Sequence, residues 1–423
     1  MSMIAENKKE FISRLSKTSI SIPEELKSLA EATLENTDLP TSRNEHWKYT
    51  RVAKLSKIDF NNSAGNVQNI EDFIIDPTKA TFVFVNGHYS TELSSTKIPE
   101  GVTVELLSNS GMTSSIIKNE GEVFNALNTT HLIDGASITI TNKAQVETPI
   151  QVIHILDGNE QLSNFKTVIN ARAFSKANIV EGFFATEGSE KSFANVTSEI
   201  KVGANAFLTI DKVQFENEAS FHISTEQIEQ DKYSTFTINT ITLNGGLVRN
   251  NLNVDVIGEN CTTHLNGAYI LKGKQHVDNH SIMEHKVPNC ESHELYKGVM
   301  DENSTAVFNG KVYVRKDAQK INAFQSNRNV LLSDSAAVNS KPELEIYADD
   351  VKCSHGSTTG QLDDDAIFYL RARGLSRRAA TQLMVSAFIT EVIDHIENEN
   401  VRAFTFDLLK KRYGWDITPE DFH

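Results

Sequence analysis

Cysteine is scarce: Cys261, Cys290 and Cys353 are the only three, far apart and without a CxxC pair. So odd and sparse a set speaks against a disulfide scaffold and fits a reducing compartment. Basic residues are outnumbered, with 41 Lys and Arg against 56 Asp and Glu, for a formal charge of -15. Nucleic acids and anionic membrane surfaces are themselves negative, so neither is an expected partner. No apolar run reaches the roughly 18 residues of a membrane-spanning helix. The opening residues lack the apolar core of a signal peptide. The expectation is a cytoplasmic protein. A GxxxxGK[ST] loop, a GxGxxG turn and an HExxH helix are all missing, so the chain is not expected to be an ATPase itself.

The 423 residues, 39% of them hydrophobic, suffice for a full core and two or three structural units. Residues 1–65 read as helical. Phe11, Ile12 and Leu15 stand near helical spacing, and Ser21-Ile22-Pro23-Glu24 has the form of a capping box. Leu26, Leu29, Ala30 and Leu34 follow on one predicted face. Glu45-His46-Trp47-Lys48-Tyr49-Thr50 comes next, and Asn61 to Asn66 reads as a linker.

From residue 79 the texture changes to short β-rich runs: 81–85, 102–107, 137–141, 150–156, 166–170, 177–184, 196–202, 207–213, 235–243 and 251–257. No proline stands between Pro149 and Pro288. That absence fits continuous ladders, to which proline cannot donate. A short helix is possible around 121–127. Residues 259–267 are echoed by 302–310, each leading into a β-run, with looser echoes at 202–206 and 332–337. The repeated unit is a strand, a small polar corner and another strand, which suits a solenoid. Asparagine fits such corners because it tolerates the left-handed conformation. Residues 79–348 are therefore read as a β-helix, with a sandwich or jelly roll as the alternative.

Residues 361–423 turn helical again. Asp363, Asp364 or Asp365 can cap a helix carrying Ile367, Phe368 and Leu370 and ending at Gly374. Ser376 caps a second, lined by Leu383, Ala387, Val392 and Ile396 and widened by Met384, Phe388 and Ile393. A third spans about 401–413. Their apolar faces call for packing on the β-domain or for a partner.

The densest chemistry is Asp349-Asp350-Val351-Lys352-Cys353-Ser354-His355-Gly356, placed between the last β-run and the first C-terminal helix. In extended backbone, Cys353 and His355 point to one side. Thiolate and imidazole are ligands for iron or zinc, yet two ligands do not complete a tetrahedral site. The competing reading is an incidental turn. His264, His276, His280, His285 and His293, near Cys261 and Cys290, match no standard metal spacing and read as polar corners of the solenoid. Arg371, Arg373, Arg377 and Arg378 form a basic patch without interleaved aromatics, which suits a solvated helix end or an acidic docking partner.

The run Lys341 to Leu362, with Cys353-Ser354-His355-Gly356 at its centre, resembles the SufB/SufD family of scaffolds of the SUF iron–sulfur cluster assembly machine. The likeness continues through Phe368-Tyr369-Leu370-Arg371-Ala372-Arg373-Gly374. Asp278-Asn279-His280, Leu295-Tyr296-Lys297-Gly298-Val299, Val307-Phe308-Asn309-Gly310-Lys311, Asp317-Ala318-Gln319-Lys320 and the Glu45–Thr50 segment are also similar to the family, so the likeness spans nearly the whole chain. Within the family it is similar to SufD. A SufB-like paralogue would carry a cysteine where this chain has Gln325 to Val330, and a Glu-His-Glu-like segment in place of Lys352 to His355.

The resemblance implies a right-handed parallel β-helix between two helical regions. It implies pairing with SufB and docking of the ATPase SufC on the C-terminal helices, here around Phe368, Tyr369, Arg371, Arg373, Arg377 and Arg378. ATP-driven closing of two SufC subunits would remodel the interface where a nascent cluster is built. Cys353 and His355 would be ligands there, the rest coming from SufB. No cofactor is expected to bind the chain tightly alone, and flavin only in the assembled complex. A homodimer is expected in isolation, because a β-helix has exposed edges. A carbohydrate-active β-helix enzyme is the reading from another class. It would require clustered carboxylates over a groove, and is usually secreted.

Overall fold

The computed structural model describes residues 3–15, 17–76, 79–95, 97–112, 115–118 and 120–414, with side chains from residue 8 on. Residues 415–423 of the expected C-terminal region lie outside the described residues. The architecture is a parallel β-solenoid with helices at both ends of the chain. Strands form a ten-stranded and a nine-stranded sheet. From Asp134–Ile140 to Val351–Gly360, successive strands alternate between the sheets, and each pairs in parallel with the strand two further along. The sandwich alternative is thereby excluded, since antiparallel pairing is confined to His88–Tyr89 and Val102–Leu106 among the described strands.

Alternation selects what enters the lumen. One buried cluster runs its length and includes Ile138, Phe165, Ile179, Ile210, Phe236, Leu265, Phe308 and Ile321. Burying each such side chain is worth about 1.5–3 kcal/mol. The corners need the left-handed conformation, and Asn205, Asn260 and Asn289 adopt it, as do Phe174, Tyr233 and Lys320. At Gly258 a Cβ would collide with the backbone of Lys232 on the preceding coil, so only glycine allows that approach. The echoed segments 259–267 and 302–310 each span a corner and the first part of a strand, and the two strands, Thr262–Leu271 and Thr305–Val314, belong to opposite sheets. Their likeness reflects the unit of corner then strand, which occurs on both faces.

Helices α1 (Met3–Ser13), α2 (Glu24–Asn36), α3 (Leu107–Ser110) and α4 (Val123–Thr130) belong to the N-terminal part. Phe11, Leu34, Trp47, Phe60, Phe124 and Leu127 form a second core against Leu162, Phe193 and Ile223. Two local expectations change. Pro23 occupies the N-cap of α2 and no side chain caps it; the Ser21 carbonyl instead accepts the Met112 N–H at 2.8 Å. Leu29 is exposed, because the buried face of α2 is set by Ala30, Thr33 and Leu34. Asn61 to Asn66 is tied to the solenoid: Asn61 N–H donates to Glu160 O at 2.7 Å, and Asn66 N–H to Asp157 Oδ2 at 2.7 Å.

Three helices follow the last strand: α5 (Asp364–Ala372), α6 (Arg377–Ile393) and α7 (Glu399–Tyr413). Asp363 is the cap of α5, accepting the Asp365 N–H at 2.9 Å, and Ser376 caps α6 through Ala379 N–H at 3.1 Å. Val385, Ile389, Val392, Ile393, Val401, Leu408 and Leu409 pack with Ile241, Leu243, Ala268, Ile270 and Val299 on the outer face of the ten-stranded sheet. Ala387 is exposed and Val385 takes the inner position. Apolar residues encircle much of α6, so spacing alone did not select the buried side.

Candidate functional site

Both sheets end together. Ala337–Ile346 terminates the nine-stranded sheet and Val351–Gly360 the ten-stranded sheet, each paired on one side only. Edge strands leave a row of N–H and C=O groups open to pairing. The segment expected between the last strand and the first helix is thus itself the terminal strand, laid along Ile321–Leu331.

Cys353 stands opposite Ala323 and His355 opposite Gln325 in the ladder. Spaced by two, both lie in line with luminal positions, as the extended-backbone reading expected. Cys353 is half-buried against the luminal core, and His355 is exposed. Burial pushes the Cys353 thiol above its ordinary value, partly offset by a hydrogen bond with the Ala323 backbone. It is therefore a thiol at neutral pH, and a metal ion would have to displace its proton. Among the described residues no three His, Cys, Asp or Glu side chains converge to hold a metal.

Beneath this pair the lumen turns polar. The column below His355 reads Gln325, Glu294, Leu265, Ile238, Ile210 and Ile179. Gln325 Nε2 donates to Glu294 Oε2 at 2.6 Å, and the Ser281 hydroxyl donates to Glu294 Oε1. Burial raises the Glu294 carboxyl to about 7, against the pull of these two donors. A neighbouring chain runs from Ser357 through Ser340, Asn327 and Asn329 to the Tyr269 hydroxyl, in steps of 2.8, 2.8, 2.7 and 2.7 Å. Deeper in, Lys212 Nζ meets Glu226 Oε1 at 2.5 Å and Ser224 Oγ at 2.7 Å, fully buried. Sequence reasoning missed Glu294, Gln325 and Lys212. Their signal is a polar residue on the inward phase of a strand, readable only once the phase is known.

The histidines between His264 and His293 do not converge. His264 and His293 stack on the ten-stranded sheet, ring centroids 5.4 Å apart. His276 and His280 flank Asp278 on the other sheet, where Arg249 pairs with Asp278 and lies 3.7 Å over the Trp47 ring. That group fastens the Glu45–Thr50 segment to the solenoid. His285 is luminal and bonds Ser292 at 2.9 Å. Cys261 and Cys290 occupy one corner of successive coils, buried and in hydrogen-bond contact, which draws Cys261 down and pushes Cys290 up.

On α5, Phe368 and Tyr369 are 73% and 53% exposed, and the Arg373 guanidinium lies 3.9 Å over the Tyr369 ring. Arg371, Arg377 and Arg378 are exposed too, with Arg377 Nη2 at 3.5 Å from Asp364. Phe368, Tyr369, Arg371 and Arg373 thus lie on or just after α5, while Arg377 and Arg378 open α6 and line a cavity with Val385 and Tyr413. Among the described residues no helix is long and apolar enough to cross a membrane.

Residues 154–388 match a family model described as the SufBD core domain of SUF-system FeS cluster assembly, and residues 6–152 one for the SufBD N-terminal region. The chain is 34% identical over 381 residues to an iron–sulfur cluster assembly SufBD family protein of Synechocystis, covering 85% of this chain and 84% of that one. It is 30% identical over 381 residues to the iron–sulfur cluster assembly protein SufD of Escherichia coli, covering 87% and 88%. Against SufD of Bacillus subtilis the figures are 25% over 306 residues, covering 70% and 68%. The chain belongs to the SufBD family of iron–sulfur cluster assembly proteins and is SufD-like within it.

Proposed function

We propose that this chain is a non-catalytic scaffold subunit of a cytoplasmic SUF complex. It pairs with a SufB-type paralogue through the open end of the solenoid, and docks a SufC-type ATPase on the α5 corner around Phe368, Tyr369, Arg371, Arg373, Arg377 and Arg378. Cys353 and His355 contribute ligands to a nascent cluster, which is cargo. One observation carries the reading: two soft and borderline ligands stand on a terminal strand whose outer edge is unpaired, where a partner strand would bring further ligands. A ligand pair alone is too weak for tight metal binding, so the isolated chain holds no cofactor and self-associates through the same edge. Flavin binding belongs to the assembled complex.

Co-expression with SufB- and SufC-type subunits, followed by size measurement, tests the assembly. The expected product is one complex containing all three chains. A chain that elutes alone, with no ATPase retained, refutes it.

A further inference from the structure

Gln325 is 3% exposed, yet its side-chain Oε1 has no hydrogen-bond partner. Such an orphan demands an explanation. The amide is held from two sides. Its Nε2 donates to Glu294, whose other oxygen is held by Ser281. On the facing strand, a Cβ at Gly310 would collide with the Gln325 amide, so glycine makes its room. That gives Phe308-Asn309-Gly310 a physical purpose. With Nε2 committed to Glu294 on the preceding coil, Oε1 is the amide's one remaining acceptor, and it is buried without a partner. The next residue in that column is His355, one ladder spacing of about 4.8 Å away.

We infer that Gln325 is a positioning residue for His355: its Oε1 accepts the imidazole N–H when the ring adopts its inward rotamer. The inference rests on the reading of His355 as an interface ligand. His355 is exposed and free to change rotamer. In a neutral imidazole one nitrogen donates and the other carries a lone pair, and the hydrogen bond selects which. A bond to Gln325 turns the bare nitrogen out of the solenoid's open end, where a cluster ligand has to point.

The test is the tautomer of His355 in the full chain, read by nitrogen-15 NMR at pH 8 and assigned by its loss in His355→Asn. Wild type is expected to show one protonated and one bare nitrogen. Gln325→Leu should move both shifts toward the averaged values of an exchanging ring. Gly310→Ala, which keeps the amide but displaces it, should do the same and covers the case in which the leucine variant does not fold. An averaged tautomer in wild type, or a fixed one in both variants, overturns the inference. This readout needs no cluster, so it can fail or hold independently of the ligand role of His355.

Discussion

Glu294 offers a direct energetic check on the polar lumen. Its carboxyl is fully buried and raised from 4.5 to about 7, burial being the largest cause. A carboxyl raised in the folded state stays protonated there while the unfolded chain has already ionised. Stability is therefore complete below the unfolded value of 4.5 and declines as pH rises toward 7. At about 1.4 kcal/mol per pH unit, the loss is on the order of 3 kcal/mol. Glu294→Gln mimics the protonated group: its amide oxygen can accept from Gln325, and its NH2 can donate to the Ser281 hydroxyl oxygen. His131, His154 and His285, held down to about 4, 3 and 4 by burial, contribute the opposite slope, but it is common to both proteins and cancels in the difference. Urea denaturation of both proteins from pH 5 to 8.5 should show the variant gaining on wild type by about 3 kcal/mol, mostly below pH 7. Parallel curves with a constant offset would refute an uncharged Glu294.

Lys212→Met should cost about 3–5 kcal/mol, because it strands the buried Glu226 carboxylate. Adding Glu226→Leu should recover most of that loss, and a double variant as unstable as the sum of the singles contradicts the pairing. Phe368→Ala with Tyr369→Ala should leave the melting transition within about 0.5 kcal/mol of wild type, as both rings face solvent. The same variant should lower retention of a SufC-type ATPase in a pull-down, and undiminished retention moves the docking site elsewhere.

Much of this fold was legible because solenoid strands are short, closely spaced and free of proline, and because small polar corners recur. The helix caps at Asp363 and Ser376 were legible for a similar local reason: a single side chain answers to a single backbone N–H. What spacing could not supply was coil length. Stacked positions run from Thr235 to Thr262 to Glu291 to Asn322, a different increment each time. Without that increment Glu294 cannot be placed over Leu265 or beneath Gln325, so the polar floor under His355 stayed hidden. The corner residues were half legible: Asn260 and Asn289 carry the conformational signal, but Phe174 and Tyr233 adopt the same angles without it. Terminal strand Val351–Gly360 has few apolar residues because little covers it, and its weak pattern resembled a turn.

The most direct measurement is the iron and acid-labile sulfide content of the complex co-purified with SufB- and SufC-type partners, for wild type and His355→Ala. His355 is exposed on the edge strand, so its truncation should leave the assembled size unchanged. Complexes of equal size with markedly less iron and sulfide in the variant are the predicted result. Equal iron and sulfide in the two would contradict a ligand role for His355 at the open end of the solenoid.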